Sequence, residues 1–408
     1  LLLRNSLKGN IFQRNLATTA TNEKLQPEKT ALYEFHKTHG GKIVDFAGYL
    51  LPVQYNDQSI IKSHLYTREY GSIFDVSHML QTYIKGKDAI ECIEQICTAD
   101  IKNMANGTGT LTVFMKQDGG IWDDLIVNRI ADDELYIVSN ASRKASDTAL
   151  IDEAVTLYRM LGKTISMEFL TLEEQSLLAV QGPNAVSVVQ KLCKKDLSKL
   201  YFMNTVAEQI DGVENCRITR CGYTGEDGVE ISIPSKHVSR IAEALLDAKH
   251  GKLKLAGLGA RDSLRLEAGM CLYGNDIDEE TTPIEAGLAW LVAKRRRAAK
   301  NFPGAEILNE QLRNGVQRRR VGIKVAQGAP PARHHVEIYN AKNNTEKIGM
   351  VTSGCPSPCL NYNIAMGYVQ EEYKKAGTPL LLKIRDKFYE SEVCKMPFVK
   401  TNYYQNVK

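Results

Sequence analysis

The chain has 408 residues, 43% hydrophobic and 25% charged, a composition that has room for more than one core and excludes a polypeptide disordered overall. Of its net charge of +4, three basic residues (Arg4, Lys8 and Arg14) precede the first acid, Glu23, so the remainder is near neutral and no nucleic-acid partner is expected. No stretch approaches the ~18 apolar residues of a membrane-crossing helix, so no membrane partner is expected.

Residues 1–26 set Leu3, Leu7 and Ile11 at helical spacing among basic and hydroxyl side chains, the composition of a mitochondrial transit peptide or a disordered leader. A short helix is expected over 31–37, with His39-Gly40-Gly41 as its stop. Extended structure over 42–55 is broken at Pro52, and 59–70 is helical again. A meander follows, with strands at 110–116, 121–130 and 135–139, then a helix at 142–161. A second mixed unit from about 168 to 290 has strands at 177–181 and 229–233 and helices at 184–193 and 239–250. The pattern is α+β with mainly antiparallel sheets, and no internal repeat is visible at residue level. KRRRAAK at 294–300, followed by Pro303-Gly304, marks a basic junction over 293–316. Residues 317–404 are strand-rich with Gly/Pro punctuation, the pattern of a small C-terminal β-barrel.

Nine cysteines without a Cys-x-x-Cys pair read as buried free thiols in a reducing compartment. Cys355-Pro-Ser-Pro-Cys359 could chelate a metal, but no second pair or His cluster completes four ligands, so no metal site is expected.

Three stretches could carry chemistry. RCGYTGEDGVEIS, 220–232, spaces Gly222, Gly225 and Gly228 like a phosphate loop, yet two acids lie inside it and a strand, not a helix, follows. A tight hairpin explains the glycines but not Glu230. GGIWDDLIV puts Asp123 and Asp124 on opposite faces of an apolar strand, one reaching solvent and the other held against a cavity, where burial gives a carboxyl the pKa latitude for proton transfer. The alternative is a strand-end pair bonding backbone beside the Gly119-Gly120 turn. The helix over 258–267 sets Arg261 and Arg265 one turn apart with Asp262 as a partner, either a clamp for a carboxylate ligand or a solvated face. The acidic segment 274–280 lacks the ligand spacing of an EF-hand. Dinucleotide, Walker, HExxH and Gly-x-Ser-x-Gly motifs are absent, which leaves a ligand that brings its own reactivity.

HGGKIVDFAGYLLPVQY, SIFDVSHM, GGIWDDLIV, RCGYTGEDGVEIS, ARDSLRLEAGMCLYGNDIDEETTPIEAGLAW, RRRVG, SGCPSP and KMPFVKTNYY occur in that order. Together they resemble the aminomethyltransferases of the glycine cleavage system, the T-proteins, over residues 30–404. The resemblance implies three domains: two interleaved α+β subdomains that bind folate over 30–292, and a β-barrel over 317–404. It implies transfer of the aminomethyl carbon from the lipoyl arm of the H-protein to tetrahydrofolate as co-substrate, in the mitochondrial matrix, with no metal, flavin or nucleotide. Asp124 matches the catalytic aspartate, with Asp123 as its structural neighbour. Glu230 matches the pterin-binding glutamate, and Arg261 and Tyr403 match further folate-binding positions. Tyr223 shapes the pocket wall, and Met79 and Val138 line it.

Two relatives of the same fold offer alternatives. The demethylating domains of dimethylglycine and sarcosine dehydrogenases come with a flavin domain for which this chain has neither room nor motif. A folate-binding iron–sulphur maturation factor carries Lys-Gly-Cys-aromatic-x-Gly-Gln, where this chain reads Gly-Met-Cys-Leu-Tyr-Gly-Asn at 269–275. The basic runs 294–297 and 318–320 are candidates for steering an acidic carrier protein to the channel mouth. Their alternative is a solvated linker, or an inward-turned Arg320.

Overall fold

Between residues 72 and 255 one pattern of elements occurs twice in succession. The computed structural model describes residues 26–247 and 249–406, so the leader expected at 1–26 lies, but for Gln26, outside the described residues. The first copy runs strand Leu80–Lys85, helix Ala89–Glu94, strands Thr108–Met115, Ile121–Ala131 and Glu134–Ser139, helix Lys144–Met160 and strand Ser166–Leu170. The second repeats it with Gln175–Gln181, Ala185–Gln190, Thr205–Ile210, Val213–Thr219, Gly228–Pro234, Val238–Leu246 and Lys254–Leu255. Each forms a sheet of the same order, but the second admits Ser72–Asp75 between Gln175–Gln181 and Lys254–Leu255, so the two units interleave.

The repeat reaches single residues. Gly86-Lys87-Asp88-Ala89 and Gly182-Pro183-Asn184-Ala185 open equivalent short helices, which end near Cys97 and Cys193. The two glycines share a backbone conformation, φ +123 and +117, and a Cβ on either would meet a carbonyl oxygen at 2.3 or 2.4 Å. Little else of the two copies matches in sequence, which is why the repeat is invisible without the fold.

Each sheet buries one face under its own two helices. Ile84, Phe114, Val127, Ile151 and Val155 fill the first core, and Val180, Val188, Ile218, Ile231, Ile241 and Leu245 the second. Fully burying such side chains contributes ~1.5–3 kcal/mol each. The other faces meet through Phe74, Val138, Leu177 and Leu264, and through Gln81, whose Oε1 accepts from Tyr136 Oη at 2.8 Å and Ser232 Oγ at 2.5 Å. A three-stranded sheet, Glu28–Lys29 with Tyr49–Tyr55 and Gly41–Phe46, lies N-terminal to the two units.

At the C-terminal end, Arg318–Val325, Tyr362–Gln370, Asn343–Ser357, Glu337–Asn340, Pro379–Ile384 and Lys387–Cys394 close a barrel in that order around Ile323, Val351, Ala365, Leu382 and Val393. The fold is therefore α+β with mainly antiparallel sheets and a terminal barrel, whose closure leaves no open edge. Among the described residues no helix is long and apolar enough to cross a membrane.

The basic runs hold this assembly together rather than offering free charge. Residues 293–316 form helices Lys294–Ala299 and Ala305–Asn314, and Phe302, Ala305 and Leu308 pack against Val113 and Ile121. Arg296 is 0% exposed and donates to Glu94 Oε2 at 3.2 Å and Asn301 Oδ1 at 2.6 Å, while Arg295 reaches Glu94 and Asp100 at 2.5 and 2.6 Å. Arg318 pairs with Glu285 at 3.0 Å, Arg319 with Glu371 at 3.2 Å, and Arg320 turns inward to Ala286 O at 2.8 Å. A guanidinium satisfies several carbonyls and carboxylates at once, which makes arginine suitable for such seams. Of residues 294–297 only Lys294 is exposed, and of the alternatives drawn from sequence the inward-turned Arg320 is the one observed.

Replacing Arg296 by alanine leaves Glu94 buried with its Oε2 unpartnered, and a loss of about 3–5 kcal/mol is expected. Arg295→Ala, whose side chain is 32% exposed, should cost nearer ~1 kcal/mol. Urea unfolding midpoints of the two variants test the difference.

Candidate active site

The two sheets, the helix Leu258–Glu267, the barrel strand Arg318–Val325 and the C-terminal tail surround a cavity of ≈ 1110 Å³. All seven side chains singled out from sequence line it: Met79, Asp124, Val138, Tyr223, Glu230, Arg261 and Tyr403. They come from six separate segments, Tyr223 and Glu230 sharing the stretch 220–232, so the fold brings them together.

Asp124 sits on Ile121–Ala131, and the strand's two-residue period turns it to the cavity and Asp123 away. Burial, with the Asp123 carboxyl next in weight, pushes the Asp124 carboxyl up to about 7. Asn140 Nδ2 donates to Asp124 Oδ1 and to the Asp124 carbonyl, both at 2.9 Å. The two expected settings fall together on one residue: Asp124 lines the cavity and is the half-buried member of the pair. Asp123 is fully buried, accepting from Asn140 N at 3.0 Å and Asn140 Nδ2 at 2.9 Å. The turn is served instead by Asp118, whose Oδ1 accepts from Gly120 N at 3.1 Å.

Glu230 and Arg261 face the cavity from different elements. Burial raises the Glu230 carboxyl and depresses the Arg261 guanidinium, and each partly offsets the other's shift through mutual attraction. Arg261 Nη1 is enclosed with no hydrogen-bond partner, and the guanidinium lies 4.7 Å over the Tyr223 ring. A buried, unpartnered donor is costly unless something else fills the place. Arg265, one turn on, does not join a clamp: it is locked to Asp276 at 2.6 Å, Asp262 at 2.9 Å and Ser353 at 2.9 Å.

The glycine-rich stretch is the loop of a hairpin, with Val213–Thr219 and Gly228–Pro234 antiparallel on either side, but it is a long pinned loop rather than a tight turn. Glu226 is held by Arg68 and Asn402 at 2.9 Å each, and Asp227 by Arg220 at 2.5 Å. Gly222 is required by close approach, since a Cβ there would fall 1.8 Å from Gln181 Oε1. Tyr223, thus presented, donates its hydroxyl to the Cys271 carbonyl. Tyr403 stacks on Phe202 with centroids 4.3 Å apart, and burial pushes its phenol up to about 12.

Two polar wall residues escaped the sequence reading. Asn140 follows the strand Glu134–Ser139, and His78 lies inside the quoted block SIFDVSHM, a signal that was in hand. Asp75 anchors the turn that presents His78 and Met79, accepting from Thr30 at 2.7 Å, His36 at 2.9 Å and Ser77 N at 2.9 Å. His78 is 3% exposed, its Nδ1 has no partner, and burial lowers its imidazole to about 4, so it is neutral. Cys355 and Cys359 do not form a chelating pair: Cys355 is in the core with Ile364 and Met366. Cys359 lies 3.5 Å from His64 Nε2, which also contacts Glu267 Oε2 at 2.9 Å, and Glu267 in turn accepts from Arg68 at 2.9 Å.

The chemistry available is therefore a carboxyl raised to about 7, beside a second buried carboxyl with only the Cys221 thiol as a hydrogen-bond partner, a guanidinium with a free nitrogen and aromatic walls. Such a cavity suits a flat heteroaromatic ligand that offers N–H donors and undergoes proton transfer. The family model described as the GCVT N-terminal domain matches residues 32–296, and the glycine cleavage T-protein C-terminal barrel domain matches 318–400. The chain belongs to the glycine cleavage T-protein family. It is 52% identical over 376 residues to a Homo sapiens protein named "Aminomethyltransferase, mitochondrial", covering 92% of this chain and 91% of that protein. It is 51% identical to the Pisum sativum protein of the same name, covering 93% and 91%. A solved structure of glycine cleavage system aminomethyltransferase T from Bartonella henselae superposes with a TM-score of 0.85 at 36% identity, covering 93% of this chain and 100% of that one.

The buried neutral histidine has a measurable signature. Between pH 6.5 and about 4 the unfolded chain takes up a proton at His78 that the native protein refuses, so this contribution to stability is present above pH 6.5 and lost as the pH falls. His78→Asn should flatten that part of the stability curve, measured as urea midpoints across the range.

Proposed function

We propose that the protein is the aminomethyltransferase of a glycine cleavage system. It passes the methylene of the aminomethyl-lipoyl arm of the H-protein to tetrahydrofolate, giving ammonia, 5,10-methylenetetrahydrofolate and the dihydrolipoyl H-protein. The observation that carries this reading is the meeting of Asp124, Glu230 and the unpartnered Arg261 in one cavity of a chain of this family. The mitochondrial names of the relatives support a place in the mitochondrial matrix.

The bookkeeping of the reaction needs no oxidant. The C–S bond and the C–NH2 bond of the arm break, two C–N bonds form, and the two N–H protons given up end on ammonia and on the released sulphur. Tetrahydrofolate, when bound, supplies the two nitrogens that take up the methylene. Every other requirement falls on the chain. Glu230 accepts from pterin N–H groups, Arg261 donates its free Nη1 to the ligand, and Tyr223, Tyr403, Met79 and Val138 pack the ring. Asp124, ionised, stabilises the positive charge that develops on the transferring carbon and receives or relays a nitrogen proton. A carboxyl held near neutrality does both without a large barrier in either direction.

The decisive experiment mixes the protein with aminomethylated H-protein and tetrahydrofolate and measures ammonia and methylenetetrahydrofolate. The absence of both products would overturn the reading. Asp124→Asn keeps the shape and loses the charge, so single-turnover transfer should fall by about 10²–10⁴ with folate affinity little changed. Glu230→Gln turns one acceptor oxygen into a donor and should weaken folate by about 1–3 kcal/mol in calorimetry. Unchanged affinity in a folded Glu230→Gln protein removes Glu230 from the pterin site.

A further inference from the structure

Behind Asp124 stands a second carboxyl, remote from the cavity, that the catalytic assignment does not use. Asp147 lies in the first turn of the helix Lys144–Met160, is fully buried, and faces Asp123 within hydrogen-bonding reach. Neither Asp147 oxygen has a close hydrogen-bond donor, and the Ser139 hydroxyl, itself without another partner, is the one hydroxyl whose approach lowers it. Arg143 lowers Asp147 by its charge but makes no hydrogen bond to it: its Nη2 lies 2.8 Å from Glu279 in an ion pair, its guanidinium stacks over Trp122 and Tyr273 at 5.1 Å from each ring, and its Nε and Nη2 have no hydrogen-bond partner. Two carboxyls buried face to face without a dedicated cation cannot both ionise, so one proton lies between them. Asp123 spends its remaining acceptor capacity on Asn140, and the Asn140 amide holds Asp124.

We propose that Asp147 is a positioning residue for Asp124: by sharing one proton with Asp123 it keeps the Asn140 amide aimed at Asp124 and draws negative charge away from it. The proposal rests on the aminomethyl-transfer reading for its consequence, though not for its geometry. Burial raises both members of the pair, as the shared proton requires. The other groups that feel these carboxyls are the Tyr223 phenol and Cys271 thiol beside Asp124 and the Tyr273 phenol beside Asp123, all neutral at the pH of reaction.

The pair carries a single negative charge in the native protein, and two substitutions move that charge without changing it. In Asp147→Asn the new amide donates to Asp123, which then holds the whole charge next to Asp124. In Asp123→Asn the charge moves out to Asp147. The Asp124 titration midpoint should therefore rise by about half a unit in the first variant and fall in the second. Side-chain 13C NMR of aspartate-labelled protein, with the Asp124 signal assigned by its loss in Asp124→Asn, reads this without any substrate. The acid limb of the transfer rate should move in the same two directions, which a merely structural role would not produce. Infrared spectra above pH 7 should also show a buried protonated carboxyl in the native protein that Asp147→Asn lacks. An unmoved Asp124 midpoint in both folded variants, or no such carboxyl signal in the native protein, overturns the proposal, and the second test stands even if a variant fails to fold. Failure of the transfer assay with native protein would instead strike the functional reading, leaving the spectroscopic result to decide the pair.

Discussion

An ion enclosed in protein needs a partner, and the division between charges that have one inside the chain and charges that do not defines this molecule. Arg265 and Arg261 are one turn apart on one helix, yet the first is satisfied by Asp276, Asp262 and Ser353 while the second keeps an enclosed, unpartnered nitrogen at the cavity. Behind the wall several charges are paired more than once. Arg68 bonds Glu226 and Glu267 at once, and so ties the helix Ile60–Glu69 to the loop that presents Tyr223 and to the helix that presents Arg261. These ion pairs fix the backbone from which the unpaired groups project.

The duplicated unit explains where such a cavity can exist. Two sheets of the same order meet through a thin layer of Phe74, Val138, Leu177 and Leu264, and their match is imperfect because one has gained the strand Ser72–Asp75. Residues beyond the second unit, from the helix Leu258–Glu267 to the barrel, line the remaining wall. Asp124 and Glu230 sit on strands of different copies at inequivalent positions, so the site owes its chemistry to the departure from symmetry.

Much of this was legible in the chain. Helices were expected at 59–70 and 142–161, and the structure has them at Ile60–Glu69 and Lys144–Met160, the first capped by Ser59, which accepts from Lys62 N at 3.3 Å. Strand alternation correctly put Asp123 and Asp124 on opposite faces, but period says only that faces differ. What lies on the far face, here Asn140 and Asp147, is a tertiary fact. The arginine pair failed for the same reason: i,i+4 spacing brings Arg261 and Arg265 to one side of the helix, and the partner Asp276, supplied by a distant turn, separates their fates. Charge runs misled most. Residues 294–297 look like a solvated patch because sequence does not show that Glu94 and Asp100 come from the other end of the same unit.

Asp124 joins these two themes. An isolated carboxyl in an apolar wall would be protonated throughout the physiological range and useless as an anion, while a well-solvated one would be too weak a base to take a proton. Asp124 lies between because burial and the neighbouring Asp123 raise it and the Asn140 amide lowers it. These influences are themselves linked, since Asp123 accepts from both Asn140 N and Asn140 Nδ2. The protonation of the Asp124 carboxyl is thereby a property of the packed sheet and its covering helix, so substitutions well outside the cavity can alter it while leaving every cavity-lining side chain in place.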